Sequence, residues 1–207
     1  MSASYLSLYL VADPEHCDRN LVETVADAIS GGVTCVQLRA KSLTDREVLA
    51  LALSLRDVCR RGRIPFIVND RLDIALAARA DGVHLGVDDL PTATARSFAP
   101  DGFIIGFSPE TDDQIRASAE SGVDYLGVGP VYATRTKGDA GNALGLEELR
   151  RRCELSPVPV VGIGGITAFG ASDVIRAGAK GIAVVSAILR SDQPALAARE
   201  LRSQSGT

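Results

Sequence analysis

Cys35-Val36-Gln37-Leu38, then Thr44-Asp45-Arg46-Glu47 leading into Val48, Leu51, Leu55 and Val58, then Pro65-Phe66-Ile67-Val68: residues 35–68 decide the fold. The first run is short, apolar and β-branched, which reads as a strand. Thr44 with Glu47 three residues on is a helix-start signal, and the four apolar residues after it share one helical face. The last run is a second strand. A strand, a crossover helix and a strand form the unit of a parallel sheet.

Outward from this unit the pattern repeats. Eight apolar runs stand at Leu6–Val11, Cys35–Leu38, Pro65–Val68, Gly82–Leu85, Phe103–Phe107, Tyr125–Val128, Val158–Ile163 and Gly181–Val185, with amphipathic stretches between them. Their nearly continuous apolar character suits parallel strands buried on both faces. Thr111-Asp112-Asp113-Gln114 repeats the helix-start signal. A glycine precedes several runs, at Gly31-Gly32, Gly82, Gly122 and Gly178, and reads as a helix C-cap in each. Shared among eight units, the 207 residues leave about 26 each, enough for a small (β/α)8 TIM barrel. A doubly wound open sheet is the alternative architecture. Since no linker or composition shift divides the chain, residues 1–207 are expected to form a single domain, with 203–207 a frayed tail.

Composition narrows the function classes. Hydrophobic residues make up 46% and charged residues 23%, as in folded globular chains. Twenty-six acids against 22 bases give a formal charge of -4, with no footprint for nucleic acid or an anionic membrane. The longest charge-free run, Leu155–Ser172, holds two prolines and four glycines and is a poor membrane helix. Four scattered cysteines without a C-x-x-C pair, and a start lacking signal-peptide character, fit reduced thiols and a cytoplasmic location. Homo-oligomerisation is left open.

In a barrel the functional groups belong at the carboxyl ends of the strands. After the second strand, Gln37, Arg39 and Lys41 alternate along an extended chain and present two cations on one face, an arrangement suited to phosphate or diphosphate. The same charges also serve to solvate a strand exit. Lysine is scarce, with three against nineteen arginines, and two of the three, Lys41 and Lys137, fall in these loops. Asn69-Asp70 and Asp88-Asp89 end adjacent strands, where Asp70 and Asp89 are candidates to share a hard cation such as Mg²⁺, or else are helix caps. His84 reads as a hydrogen-bonded interior histidine. The sixth strand leads into the longest polar loop, with Thr134, Thr136 and Lys137, and Gly164-Gly165 and Val185-Ser186 follow strands seven and eight, where barrels often bind phosphate. Ser108 after the fifth strand is a further donor. With only His16 and His84 and no nucleophile elbow, a hydrolytic triad has little material.

Taken in order, Val36-Gln37-Leu38-Arg39-Ala40-Lys41, Ile67-Val68-Asn69-Asp70-Arg71, Gly82-Val83-His84-Leu85-Gly86, Gly129-Pro130-Val131-Tyr132 with Thr134-Arg135-Thr136-Lys137, and Ile163-Gly164-Gly165-Ile166 resemble the thiamine phosphate synthase family from Leu8 to Ile188. The resemblance implies a transferase that joins 4-amino-2-methyl-5-hydroxymethylpyrimidine diphosphate to thiazole phosphate, or its carboxylate form, releasing diphosphate by a dissociative, Mg²⁺-assisted mechanism. It implies that Gln37 and Asn69 bind the pyrimidine and that Arg39, Lys41 and Lys137 hold the diphosphate with Ser108 beside it. It further implies that Asp70 and Asp89 carry Mg²⁺ and that Thr134, Thr136, Gly165, Val185 and Ser186 surround the thiazole phosphate.

Two positions depart from the family pattern: Val87 stands where many members carry Gln, and Ala133 where Pro is common. The related thiazole tautomerase is the nearest rival reading; its acid-base histidine would occupy the place of Pro130. A metal-free sugar-phosphate isomerase has no use for the paired acids or Arg39-x-Lys41, and a non-catalytic binding module is the remaining alternative.

Overall fold

The computed structural model describes residues 3–134 and 142–205. Eight parallel strands, β1 (Leu8–Ala12), β2 (Cys35–Leu38), β3 (Phe66–Asn69), β4 (Gly82–Leu85), β5 (Ile104–Phe107), β6 (Tyr125–Val128), β7 (Val160–Ile163) and β8 (Gly181–Val184), pair in sequence order. The sheet closes where Leu8, Tyr9 and Leu10 pair with Ile182, Ala183 and Val184. The open-sheet alternative is thereby set aside, and the fold is a (β/α)8 TIM barrel.

Helices α1 (Leu21–Ser30), α2 (Asp45–Gly62), α3 (Leu72–Ala78), α4 (Thr92–Phe98), α5 (Asp112–Arg116), α6 (Gly145–Leu155), α7 (Ala168–Arg176), α8 (Ser186–Leu189) and α9 (Pro194–Gln204) follow the strands. No helix among the described residues is long and apolar enough to cross a membrane. The helix-start signals work as read: the Thr44 N–H donates to Glu47 at 2.9 Å before α2, and Thr111 and Gln114 exchange bonds at 3.1 and 3.3 Å before α5.

Alternation along each strand sorts side chains into two buried layers, which is why the strands look continuously apolar. Leu8, Leu10, Val36, Leu38, Leu126 and Ile182 face outward onto buried helix residues such as Val25, Ala52 and Leu55. Tyr9, Cys35, Ile67, Ile104, Tyr125 and Val161 face inward and fill the barrel. Only 2% of Tyr9 and 1% of Tyr125 is exposed, so a narrow interior holds two large rings. Glycines make the room: a Cβ on Gly106 of β5 would lie 2.2 Å from Tyr125 Cζ.

Two sequence readings need correction. Gly82 does not cap α3; Arg79 does so in the left-handed conformation at φ 53°, and Gly82 opens β4. Its glycine identity answers to packing, because a Cβ there would sit 2.3 Å from the Ile104 carbonyl oxygen and 2.8 Å from Ile67. At the carboxyl end, Ser203 and Gln204 form the last turn of α9 and Ser205 is buried, so the ordered chain runs past the expected start of the frayed tail; residues 206–207 lie outside the described ones.

Candidate active site

A cavity of about 970 Å³ opens at the carboxyl end of the barrel. The strand ends deliver the candidate groups to it: Gln37 on β2 with Arg39 and Lys41 just beyond, Asn69 closing β3 with Asp70 after it, Asp89 after β4 and Ser108 after β5. Thr134 follows β6, Gly165 follows β7, and Val185 and Ser186 follow β8, and all four line the same cavity. Thr136 and Lys137 lie outside the described residues. Val87, Ala133 and Pro130 also border the cavity, so both departures from the family pattern fall on the site, and the ring of Pro130 offers no acid-base group.

The cations are not bare. Arg39 Nη1 lies 2.5 Å from Asp13 Oδ2, a carboxylate that is 1% exposed just past β1. A charged hydrogen bond of this kind holds the guanidinium in place at the cavity edge. His16 Nδ1 is buried 3.6 Å from the same oxygen. Lys41 Nζ, half exposed, lies 3.5 Å from Asp70 Oδ2. Sequence reading missed Asp13 and His16; an acid right after the first strand was the available signal.

Asp70 and Asp89 are not helix caps. Arg71 precedes α3 and Pro91 precedes α4, while Asp89 Oδ2 accepts the Gly86 N–H at 2.7 Å. Asp70 adopts the left-handed conformation at φ 63°, and its N–H donates to the His84 carbonyl at 2.8 Å. Such a conformation is unusual outside glycine and tends to persist where the surroundings over-determine it. Burial, and after it the charge of Asp89, push the Asp70 carboxyl above the usual range, with Lys41 working the other way. Two carboxylates thus compete for one half-buried place with a single half-exposed ammonium nearby. That surplus of negative charge on oxygen donors fits a hard divalent cation.

Behind these groups His84 does what interior histidines do, and bridges Tyr125 Oη at 3.0 Å and Ser108 Oγ at 2.8 Å. Across the cavity the loops after β6 and β7 are stitched together: the Val131 N–H donates to the Ile163 carbonyl at 2.8 Å and the Tyr132 N–H to that of Gly164 at 3.0 Å. Gly165, at φ 66°, tolerates no side chain, since a Cβ would stand 2.6 Å from the Ala133 carbonyl oxygen. Gly165 itself lines the cavity.

The chain has close counterparts among known proteins. The family model described as thiamine monophosphate synthase matches residues 8–188. A thiamine-phosphate synthase of Albidiferax ferrireducens is 49% identical over 199 residues, covering 95% of this chain and 90% of that one. One of Haloarcula marismortui is 46% identical over 200 residues, covering 95% of each. Among solved structures, a thiamine phosphate pyrophosphorylase from Pyrococcus furiosus superposes with a TM-score of 0.89 at 38% identity, covering 98% of this chain and 96% of the other. The chain therefore belongs to the thiamine monophosphate synthase family.

Proposed function

We propose that this chain is a thiamine-phosphate synthase, a transferase that condenses 4-amino-2-methyl-5-hydroxymethylpyrimidine diphosphate with thiazole phosphate, or its carboxylate form, and releases diphosphate. The observation that carries the reading is the convergence of Arg39, Lys41, Asp70 and Asp89 on one cavity, in a chain nearly half identical to synthases over almost its full length. Nothing in this chemistry asks for a protein nucleophile.

The residues divide the work by charge. Arg39 and Lys41, with Lys137 from the loop after β6, meet the negative charge that grows on the departing diphosphate, where fixed cations in a partly dry site are most effective. Asp70 and Asp89 would hold Mg²⁺, which when bound would supply further positive charge to the leaving group. Gln37 and Asn69 orient the pyrimidine, with Ser108 between ring and diphosphate. Val161, Ile163 and Ala183 line the cavity with apolar surface and keep water from the methylene cation left when the C–O bond breaks. The thiazole nitrogen then captures that carbon, its phosphate held by Thr134, Thr136, Gly165, Val185 and Ser186.

The test is diphosphate release by the purified protein, with each substrate and Mg²⁺ omitted in turn. Release that needs both substrates and Mg²⁺ and yields thiamine phosphate is the expected result. No release under conditions where an established synthase works overturns the reading.

A further inference from the structure

Within the barrel, five side chains from four strands and one strand exit join in a single line of hydrogen bonds. Gln37 Nε2 donates to Tyr9 Oη at 3.0 Å. Tyr9 Oη and Tyr125 Oη stand 2.7 Å apart. Tyr125 Oη lies 3.0 Å from His84 Nδ1, and His84 Nε2 lies 2.8 Å from Ser108 Oγ. All five border the cavity. The two ends, Gln37 and Ser108, are substrate contacts in the reading above, and the three residues between them have no role in it.

Counting hydrogens gives the line a direction. An amide nitrogen only donates, so Tyr9 Oη accepts from Gln37 and must place its own hydrogen elsewhere. Burial holds both phenols well above their ordinary range, so each retains one hydrogen to give. Tyr9 passes its hydrogen to Tyr125, and Tyr125 passes its own to His84 Nδ1. A neutral imidazole that accepts at Nδ1 carries its hydrogen on Nε2 and donates it to Ser108. The serine hydrogen then remains for the cavity, and the Gln37 amide keeps its oxygen as an acceptor.

The backbone is shaped for this line. A Cβ on Gly106 would lie 2.4 Å from both His84 Nδ1 and Tyr125 Oη, and one on Gly127 would lie 3.2 Å from His84 Cε1 and 3.4 Å from Ser108 Oγ. Two strands surrender side chains where the line passes.

We infer that His84, held by Tyr125 and Tyr9, is a positioning residue that keeps one imidazole tautomer and thereby makes Ser108 a hydrogen-bond donor to an acceptor on the pyrimidine diphosphate. The identity of that acceptor's owner rests on the proposed synthase reading; the tautomer does not. Cooperative polarisation along such a line strengthens its last bond.

The experiment has two independent readouts. His16 and His84 are the only histidines, so a long-range ¹H–¹⁵N spectrum of labelled protein at about pH 8, above the ordinary histidine range, holds two ring systems, with His84 assigned by His84→Gln. A pyridine-type Nδ1 and a pyrrole-type Nε2 are expected for His84 in the wild type, and mixed tautomers in both Tyr9→Phe and Tyr125→Phe. The reverse tautomer in the wild-type protein overturns the inference without any variant. In kinetics, Tyr125→Phe lowers kcat/KM for the pyrimidine diphosphate by about tenfold, the worth of one good hydrogen bond, and leaves KM for the thiazole phosphate unchanged. In a Ser108→Ala background the same change costs nothing further. Independent, multiplying losses overturn the positioning role. A wild-type protein with the expected tautomer but no synthase turnover overturns the substrate assignment and the Ser108 contact alone.

Discussion

Replacing Asp70 by Asn separates what the fold wants at that position from what the chemistry wants. Lys41 Nζ, 3.5 Å away, would attract the Asp70 carboxylate by about 5 kcal/mol at an effective dielectric near 20. Because Lys41 is half exposed, solvent cuts this to about 1 kcal/mol. Burial and the Asp89 charge outweigh it, as the upward displacement of the Asp70 pKa indicates. The charged form is therefore a net liability in the metal-free protein. Asparagine has the same shape and tolerates the left-handed backbone at φ 63°, so metal-free Asp70→Asn should melt above wild type. Asp70→Ala loses that backbone tolerance, worth about 1 kcal/mol, and should fall below Asp70→Asn in stability by that amount. The sign with pH follows. A carboxyl raised in the folded state burdens stability above its folded pKa; the burden lifts as pH falls through that value and is gone below the unfolded 3.8. Wild type should close the gap to Asp70→Asn over that window. With Mg²⁺ the ranking inverts: saturation at about 100 Kd adds about 2.7 kcal/mol to wild type and little to the variant, whose turnover drops at least about 100-fold. Scanning calorimetry across pH with and without Mg²⁺ reads all of this. A metal-free Asp70→Asn that melts below wild type, or one that keeps the full Mg²⁺ shift, refutes the reasoning.

Asp13→Ala strands the Arg39 guanidinium, itself only 19% exposed, and should cost about 3 kcal/mol in urea denaturation; a loss under about 1 kcal/mol would show that Arg39 has no need of its partner. Lys41→Met should leave stability within about 0.5 kcal/mol, because the side chain is half exposed, while diphosphate release slows by about 10²-fold; parallel losses in both would argue against a leaving-group role. Gly106→Ala presses a methyl group into Tyr125 and His84 and should lower stability by about 1–3 kcal/mol by thermal melting, whereas a neutral effect would mean the barrel interior has slack there.

The fold was legible because its signals are local. Residues 35–68 state a strand, a capped helix and a strand outright, and eight such apolar runs appear because parallel strands covered on both faces need apolar residues at every position. Positions at strand exits, such as Arg39, Lys41, Asp70 and Asp89, could be named without coordinates because a barrel delivers strand ends to one mouth. The capping alternative for Asp70 and Asp89 was equally local, and chain pattern alone had no means of rejecting it.

What needed the tertiary structure were relations between strands distant in sequence. Tyr9 and Tyr125 are 116 positions apart and look like ordinary core aromatics, yet their hydroxyls meet across the barrel and reach His84. Asp13 precedes Arg39 by 26 positions, and their pairing depends on β1 lying beside β2. Gly82 looked like a cap and is a packing residue, since the atoms that exclude its Cβ come from β3 and β5. The sequence alone determined the eightfold alternation and the chemistry delivered to the mouth, because periodicity and residue type act over one element. Closure of the barrel decided which side chains share a hydrogen, a charge or a cavity, because those energies depend on distances across strands that chain order does not specify.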